Sequence, residues 1–88
     1  MNRKKKFLEV KVFCSPVIEK EPFAGEAEAV SSQNKLGKFD ILPKHTNFIT
    51  LIFSNLTINT FGKKKIAYQF EKGVLEVSEN KVNVFLGL

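Results

Sequence analysis

Three side chains are of the types that nucleophilic catalysis uses, but their spacing does not favour it. His45 is the only histidine, Asp40 the only aspartate and Cys14 the only cysteine among the 88 residues. A serine triad would need His45 and Asp40, five positions apart around Pro43, to converge, and a cysteine nucleophile would need a neighbouring imidazole. Nothing in the sequence brings Cys14 to His45, so we interpret the thiol as a small, partly buried side chain. We predict no enzymatic activity.

Metal and phosphate chemistry have equally little support. One histidine, one cysteine and scattered glutamates lack the spacing of a zinc site, and the five glycines stand singly, without the clustering that cradles a phosphate. Glu26 and Glu28 share one solvent-facing side of a predicted strand, without a pocket to raise a pKa. We therefore predict no metal, no cofactor and no small-molecule ligand.

The net charge of +5 is concentrated in two short runs. Residues 3–6 and 63–65 hold seven of the fourteen basic side chains, so the remainder of the chain is slightly acidic. Such runs more often serve solubility or turn formation than binding. A small basic β-barrel that binds nucleic acid, with Phe7 and Phe13 near the basic amino end, is the alternative function. The single arginine does not favour it, and we predict no nucleic-acid partner.

Length and composition predict one domain over residues 1–88, with residues 1–6 as a basic extension. Hydrophobic residues make up 43% of the chain, enough for one core and too much for a disordered protein. The longest apolar run, residues 48–53, is far shorter than the roughly 20 residues of a membrane-spanning helix. Glu9 and Lys11 interrupt what would be the apolar part of a signal peptide. We expect an intracellular protein without direct membrane insertion.

Period-two alternation predicts an all-β fold. Leu8, Val10 and Val12 alternate with Glu9 and Lys11, the pattern of a half-buried strand. Predicted strands cover residues 6–13, 17–21, 26–32, 39–42, 48–53, 56–61, 66–70, 74–78 and 82–86. Polar residues at 54–55 and 71–73 are interpreted as hairpin turns. The prediction is a small antiparallel β-sandwich, or flattened barrel, of about 8–10 short strands, because one open sheet could not bury so many apolar side chains.

The strand over residues 48–53 is apolar on both faces. We assign one alternating set to the core, Ile49, Leu51 and Phe53, and the other set to the outside, Phe48, Thr50 and Ile52. A strand of this kind is either central and covered on both sides or exposed where a partner docks.

Four patterns follow one another along the chain. They are Phe23-Ala24-Gly25, then Leu36-Gly37 with Phe39, Ile41-Leu42-Pro43, His45 and Thr50, then Gly73-Val74-Leu75-Glu76-Val77, and last Lys81-Val82-Asn83-Val84. Together they resemble the amino-terminal β-sandwich domain of the F-type ATP synthase epsilon subunit. Lys44 departs from the family's usual Gly before the histidine, and Thr46-Asn47 from its common Ala-Pro. Because the sequence stops at Leu88, we expect neither the family's carboxy-terminal helical hairpin nor its nucleotide site.

The resemblance implies a non-catalytic rotor subunit of a bacterial proton-translocating ATP synthase, held at the inner face of the cell membrane by the complex. In that family the domain links the gamma subunit to the c-ring and couples ring rotation to ATP synthesis. The c-ring contacts are then expected on one turn, at Lys35, Lys44, His45 and Thr46, and the gamma contacts at Phe48, Thr50 and Ile52. The alternative for His45 is a turn histidine bonded to nearby backbone.

Overall fold

A computed structural model describes residues 7–88 of the protein. These residues form seven strands. The strands are β1 (Leu8–Cys14), β2 (Phe23–Ala27), β3 (Ala29–Asn34), β4 (Gly37–Ile41), β5 (Phe48–Asn59), β6 (Lys65–Ser78) and β7 (Lys81–Leu86), with a short 3-10 helix at Phe61–Lys63. The predicted basic extension, residues 1–6, lies outside the described residues. Within the described part, no helix has the length and hydropathy to span a bilayer.

One continuous sheet in the order β2-β1-β7-β6-β5-β3-β4 folds over on itself. β5 and β6 pair along their whole length, but β7 pairs only with residues 73–78 of β6 and β3 only with residues 56–59 of β5. Each long strand therefore belongs to two layers. The first layer contains β2, β1, β7 and residues 48–53 and 73–78; the second contains β3, β4 and the other halves of β5 and β6.

The strands change layer at an irregularity between Phe53 and Ser54. Ser54 has a φ of 79°, in the left-handed region, and an irregularity of this kind bends a strand and increases its twist. The bend turns one sheet into a sandwich, so the predicted all-β sandwich is confirmed.

Four details of the prediction are wrong. Residues 54–55 and 71–73 lie inside β5 and β6 instead of forming hairpin turns, so four predicted strands are two. Residues 17–21 form no strand, and the single strand predicted over residues 26–32 is divided at Glu28 between β2 and β3. Seven strands therefore replace the expected 8–10. β1 and β7 pair in parallel, whereas an antiparallel sandwich was expected. Ser54, Asn55, Glu71 and Lys72 are exposed at the fold-over of the sheet, so they have the polarity of turn residues although the strands continue.

The core lies between the two layers. Every strand contributes fully buried side chains, although β2 does so only at its last residue. They include Val10, Val84, Leu75, Ile52, Ile58, Val30 and Ile41. Tyr68 is also buried, and its hydroxyl donates to the Glu21 carbonyl oxygen at 2.8 Å. Lys20 Nζ donates to the Ala67 carbonyl oxygen at 2.6 Å. These two bonds hold the connection between β1 and β2 against the part of β6 that β7 leaves unpaired.

Candidate interaction surface

An exposed apolar row crosses four neighbouring strands of the first layer. Phe13 on β1 pairs with Phe85 on β7, Phe85 with Val74 on β6, and Val74 with Leu51 on β5. The rings of Phe13 and Phe85 stack, with centroids 5.0 Å apart and planes 12° from parallel. Phe13 is 47% exposed, Phe85 40% and Leu51 46%. These four residues, called the apolar row below, form a continuous outward surface.

Polar side chains border the apolar row. Lys11, Asn83, Glu76 and Ile49 form the next row of cross-strand pairs, and Ile49, 68% exposed, extends the apolar surface along β5. On the other side, Lys72 pairs with Phe53. An apolar centre with a charged rim is the composition of a protein–protein interface, and contiguous exposed apolar surface marks an interaction site.

The structure reverses the predicted faces of β5. Ile52 is fully buried, Phe48 packs against the core, and Thr50 is half-buried opposite Leu75. Ile49 and Leu51 face outward instead of into the core, so the predicted outward set of Phe48, Thr50 and Ile52 is wrong.

Pairing with β6 explains the reversal. Glu76 is half-buried on the outward side of β6, between the core residues Leu75 and Val77. It pairs with Ile49, which places Ile49 on the same outward side, whereas Leu75 and Val77 pair with Thr50 and Phe48. The local sequence of β5 has no such signal, because both of its alternating sets are apolar.

The loop between β4 and β5 carries three of the predicted ring contacts, Lys44, His45 and Thr46. The backbone N–H of Lys44 donates to Asn80 Oδ1 at 2.6 Å, and the backbone N–H of Glu79 donates to Asn47 Oδ1 at 3.2 Å. These two bonds fix the loop on the turn between β6 and β7. Lys44 has a φ of 72°, a conformation that glycine adopts most readily.

His45 is bonded to the backbone of its own loop. Its Nδ1 donates to the Thr46 carbonyl oxygen at 2.7 Å, since a carbonyl oxygen can only accept. Its backbone N–H donates to the Leu42 carbonyl oxygen at 3.1 Å, and its ring centroid lies 5.6 Å from that of Phe48. These contacts are those of the alternative interpretation, a turn histidine.

Lys35 lies apart from the other three predicted ring contacts. It is in the turn between β3 and β4, at the opposite end of β4 from Lys44. Asn34 Oδ1 accepts from the backbone N–H of Leu36 at 2.8 Å, and Asn34 Nδ2 donates to Thr50 Oγ1 at 3.3 Å. The expected single contact turn is therefore two turns, and the one with Lys35 lies beside β5.

Residues 17–86 match the family described as ATP synthase, Delta/Epsilon chain, beta-sandwich domain. The chain belongs to this family. The match covers six of the seven strands of the sheet and both turns discussed above. The resemblance inferred from the four sequence patterns is thereby confirmed at the level of the family.

Two solved structures share the fold of this delta/epsilon domain. A chain of the Euglena gracilis mitochondrial ATP synthase, OSCP/F1/c-ring in rotational state 1, is similar with a TM-score of 0.82 and 15% identity, covering 97% of this chain and 53% of that chain. A chain of the Tetrahymena thermophila mitochondrial ATP synthase central stalk/c-ring has a TM-score of 0.70 and 13% identity, covering 97% and 66%. The delta/epsilon domain thus spans 53% to 66% of these chains. No curated protein sequence matches it significantly.

Cys14, His45 and Asp40 lie in different parts of the delta/epsilon domain. Burial raises the pKa of the Cys14 thiol, which keeps it neutral. Cys14 lies at the end of β1, whereas the loop of His45 adjoins the beginning of β1, where the Glu9 N–H donates to the Asn80 carbonyl oxygen. The carboxylate of Asp40 accepts from Ser31 Oγ at 2.6 Å. Within residues 7–88, no group of three or more His, Cys, Asp or Glu side chains is placed to hold a metal ion.

Proposed function

We propose that this delta/epsilon domain is a non-catalytic central-stalk subunit of an F-type ATP synthase. It links the gamma subunit to the c-ring and couples proton-driven rotation to ATP synthesis, at the inner face of the membrane as part of the complex. Family membership supports this role, and both similar chains come from ATP synthase assemblies that contain a c-ring. The observation that carries the proposal is the apolar row.

The apolar row and Ile49 form the gamma-binding surface in this proposal. They replace Phe48 and Ile52, which pack in the core. The stacked rings of Phe13 and Phe85 are each held on a paired strand, so little side-chain freedom is lost when a partner covers them. Aromatic anchors at the centre of an interface contribute most of its affinity. Lys35, in the turn beside Leu51, is assigned to the rim of this surface.

The loop of Lys44, His45 and Thr46 forms the c-ring contact in this proposal. Asn47 and Asn80 bond the loop to the neighbouring turn, so its backbone is ordered before any partner binds. A preorganised loop binds without a large ordering cost. Lys44 supplies a charge at the rim, where charges mainly govern association rate and specificity.

The gamma assignment is tested by Leu51→Ala and Phe85→Ala. Each variant is expected to weaken binding to the gamma subunit of the same organism by about 1–2 kcal/mol, the cost of truncating a central apolar contact. Isothermal titration calorimetry measures the affinity. Val17→Ala is the matched control, because Val17 is 74% exposed in a loop outside the apolar row.

The three side chains are exposed, so we expect the three variants to fold as the parent protein does. Their thermal unfolding midpoints check this. Equal gamma affinity of Leu51→Ala, Phe85→Ala and the parent protein would refute the assignment of this surface.

A further inference from the structure

The turn between β5 and β6 forms an exposed tip that is both basic and apolar. Phe61 is 46% exposed, and Lys63, Lys64 and Lys65 are exposed. Leu42, 55% exposed, lines the same surface hollow as the three lysines, and Glu28 is the only carboxylate among the residues that line it. In the part of the chain that the structure describes, none of the three ammonium groups is paired with a carboxylate.

Backbone bonds give this tip a defined shape. The N–H of Thr60 donates to the Lys64 carbonyl oxygen at 2.8 Å, and Thr60 Oγ1 donates to the same oxygen at 3.0 Å. Gly62 and Lys63 both have positive φ, at 79° and 65°. The turn is therefore closed across its base, and its lysines occupy an ordered projection at the end of the sandwich.

A ring contact joins this tip to the amino end of the described chain. Phe7 meets Phe61 edge to face, with centroids 6.3 Å apart and planes at 76°. In the sequence, Phe7 directly follows the basic run of residues 3–6. Phe7, the residue after the run 3–6, therefore contacts the turn that carries the run 63–65. The two runs hold seven of the fourteen basic side chains.

We propose that residues 61–65 with Leu42, called the basic tip below, bind an anionic phospholipid surface. Lysines near such a surface are attracted to its headgroups additively, and exposed Phe and Leu side chains beside lysines are buried at the boundary between headgroups and acyl chains. Single-stranded nucleic acid is less well suited as the partner, because binding of single strands relies on several aromatic side chains on which successive bases stack, whereas Phe61 is the one aromatic residue of the tip. The proposal needs neither gamma nor a c-ring, so it stands apart from the proposed function.

Vesicle co-sedimentation of the full chain tests the proposal. Vesicles of phosphatidylcholine alone are compared with vesicles of equal parts phosphatidylcholine and phosphatidylglycerol, at low and at physiological salt. We expect binding to the anionic vesicles only, weakened by salt. K63Q/K64Q/K65Q is expected to weaken it about tenfold or more. Phe61→Ser, which keeps the charge, is expected to weaken it severalfold.

The matched control is K11Q/K38Q/K72Q, which removes the same charge from exposed positions on β1, β4 and β6. It is expected to change vesicle binding less than about threefold, because these lysines lie outside the basic tip. Thermal unfolding verifies that all variants fold. The proposal would be overturned if the protein did not bind the anionic vesicles at low salt, or if both triple variants lost vesicle binding equally. It would also be overturned if K63Q/K64Q/K65Q lost binding to a single-stranded oligonucleotide, measured in parallel, but kept its binding to vesicles.

Discussion

Single polar side chains bond to the backbone of distant loops and strands in this domain. Tyr68 donates to the Glu21 carbonyl oxygen, Asn80 accepts from the Lys44 N–H, and Ser32 Oγ donates to the Asn55 carbonyl oxygen at 2.6 Å. Each bond satisfies a backbone N–H or carbonyl group, as such groups require when removed from water. These bonds could not be predicted from the sequence, because serine and asparagine are typical of any turn and their partners are distant in the chain.

The hydroxyl of Tyr68 can be tested by Tyr68→Phe, which keeps the ring. The free energy of unfolding at pH 7 is expected to fall by about 1 kcal/mol, the net value of one hydrogen bond. Burial raises the pKa of Tyr68, and charges on Cys14 and Glu21 add to the effect. Stability from a group with a raised folded-state pKa is complete below the unfolded value, about 10 for tyrosine, and is lost as the pH rises through the folded value.

The difference between the tyrosine and phenylalanine proteins should therefore narrow above about pH 10. Urea denaturation at pH 7 and above about pH 10 measures the free energy of unfolding of both proteins. Both proteins carry Cys14→Ala, because burial also raises the pKa of this thiol. An undiminished difference at the higher pH would contradict the expected ionisation.

The long strands β5 and β6 are the elements that make two layers from one sheet. The sequence predicted β1, β4 and β7 to within two residues, because each has clear alternation between defined stops. It did not predict that β5 and β6 continue through 54–55 and 71–73. Apart from Gly73, these segments are exposed to solvent at the fold-over and are therefore polar, as turns are. The outward face of β5 depends on the pairing of Ile49 with Glu76, a contact between strands that local alternation does not encode.

Gly73 lies at this fold-over, between Ile52 of β5 and Leu86 of β7. A Cβ atom there would be 2.6 Å from the Phe85 carbonyl oxygen and 3.0 Å from Leu86 Cδ2. We expect Gly73→Ala to lower the free energy of unfolding by about 2 kcal/mol, because a strand backbone must move. Chemical denaturation measures the change.

Gly25→Ala is the control for this substitution. The three atoms nearest to its Cβ would all belong to the half-buried Phe23 ring, the closest at 3.0 Å. A side chain can shift by a few tenths of an ångström more easily than a strand backbone, so the expected loss is less than about 1 kcal/mol. Equal losses at the two glycines would contradict the proposed clash at Gly73.

At the scale of the whole molecule, the two layers cannot separate without breaking the strands they share. β5 and β6 supply paired residues to both layers, and the core between the layers is one cluster. A domain of this size built around one core is expected to unfold in a single transition. The layers of the sandwich are thus parts of one cooperative unit.

Cooperativity is tested by Val84→Ala in the first layer and Ile58→Val in the second, both at fully buried positions. Each is expected to destabilise the protein by about 1 kcal/mol or more through lost packing. Far-ultraviolet circular dichroism and the fluorescence of Tyr68, which lies in the second layer, should give the same midpoint for each variant. A first-layer change that shifts circular dichroism but leaves the Tyr68 midpoint unmoved would refute a single unit.

The parallel pair of β1 and β7 has a consequence for how the protein is made. β1 and β2 pair with the rest of the sheet only through β7, so in a nascent chain on the ribosome these two strands have no strand partner in the sheet until residue 86 has emerged. The ring of Phe13 likewise has no stacking partner until Phe85 has emerged. The apolar row is therefore complete only after translation has passed β7, and an unfinished chain lacks the surface that we assign to gamma.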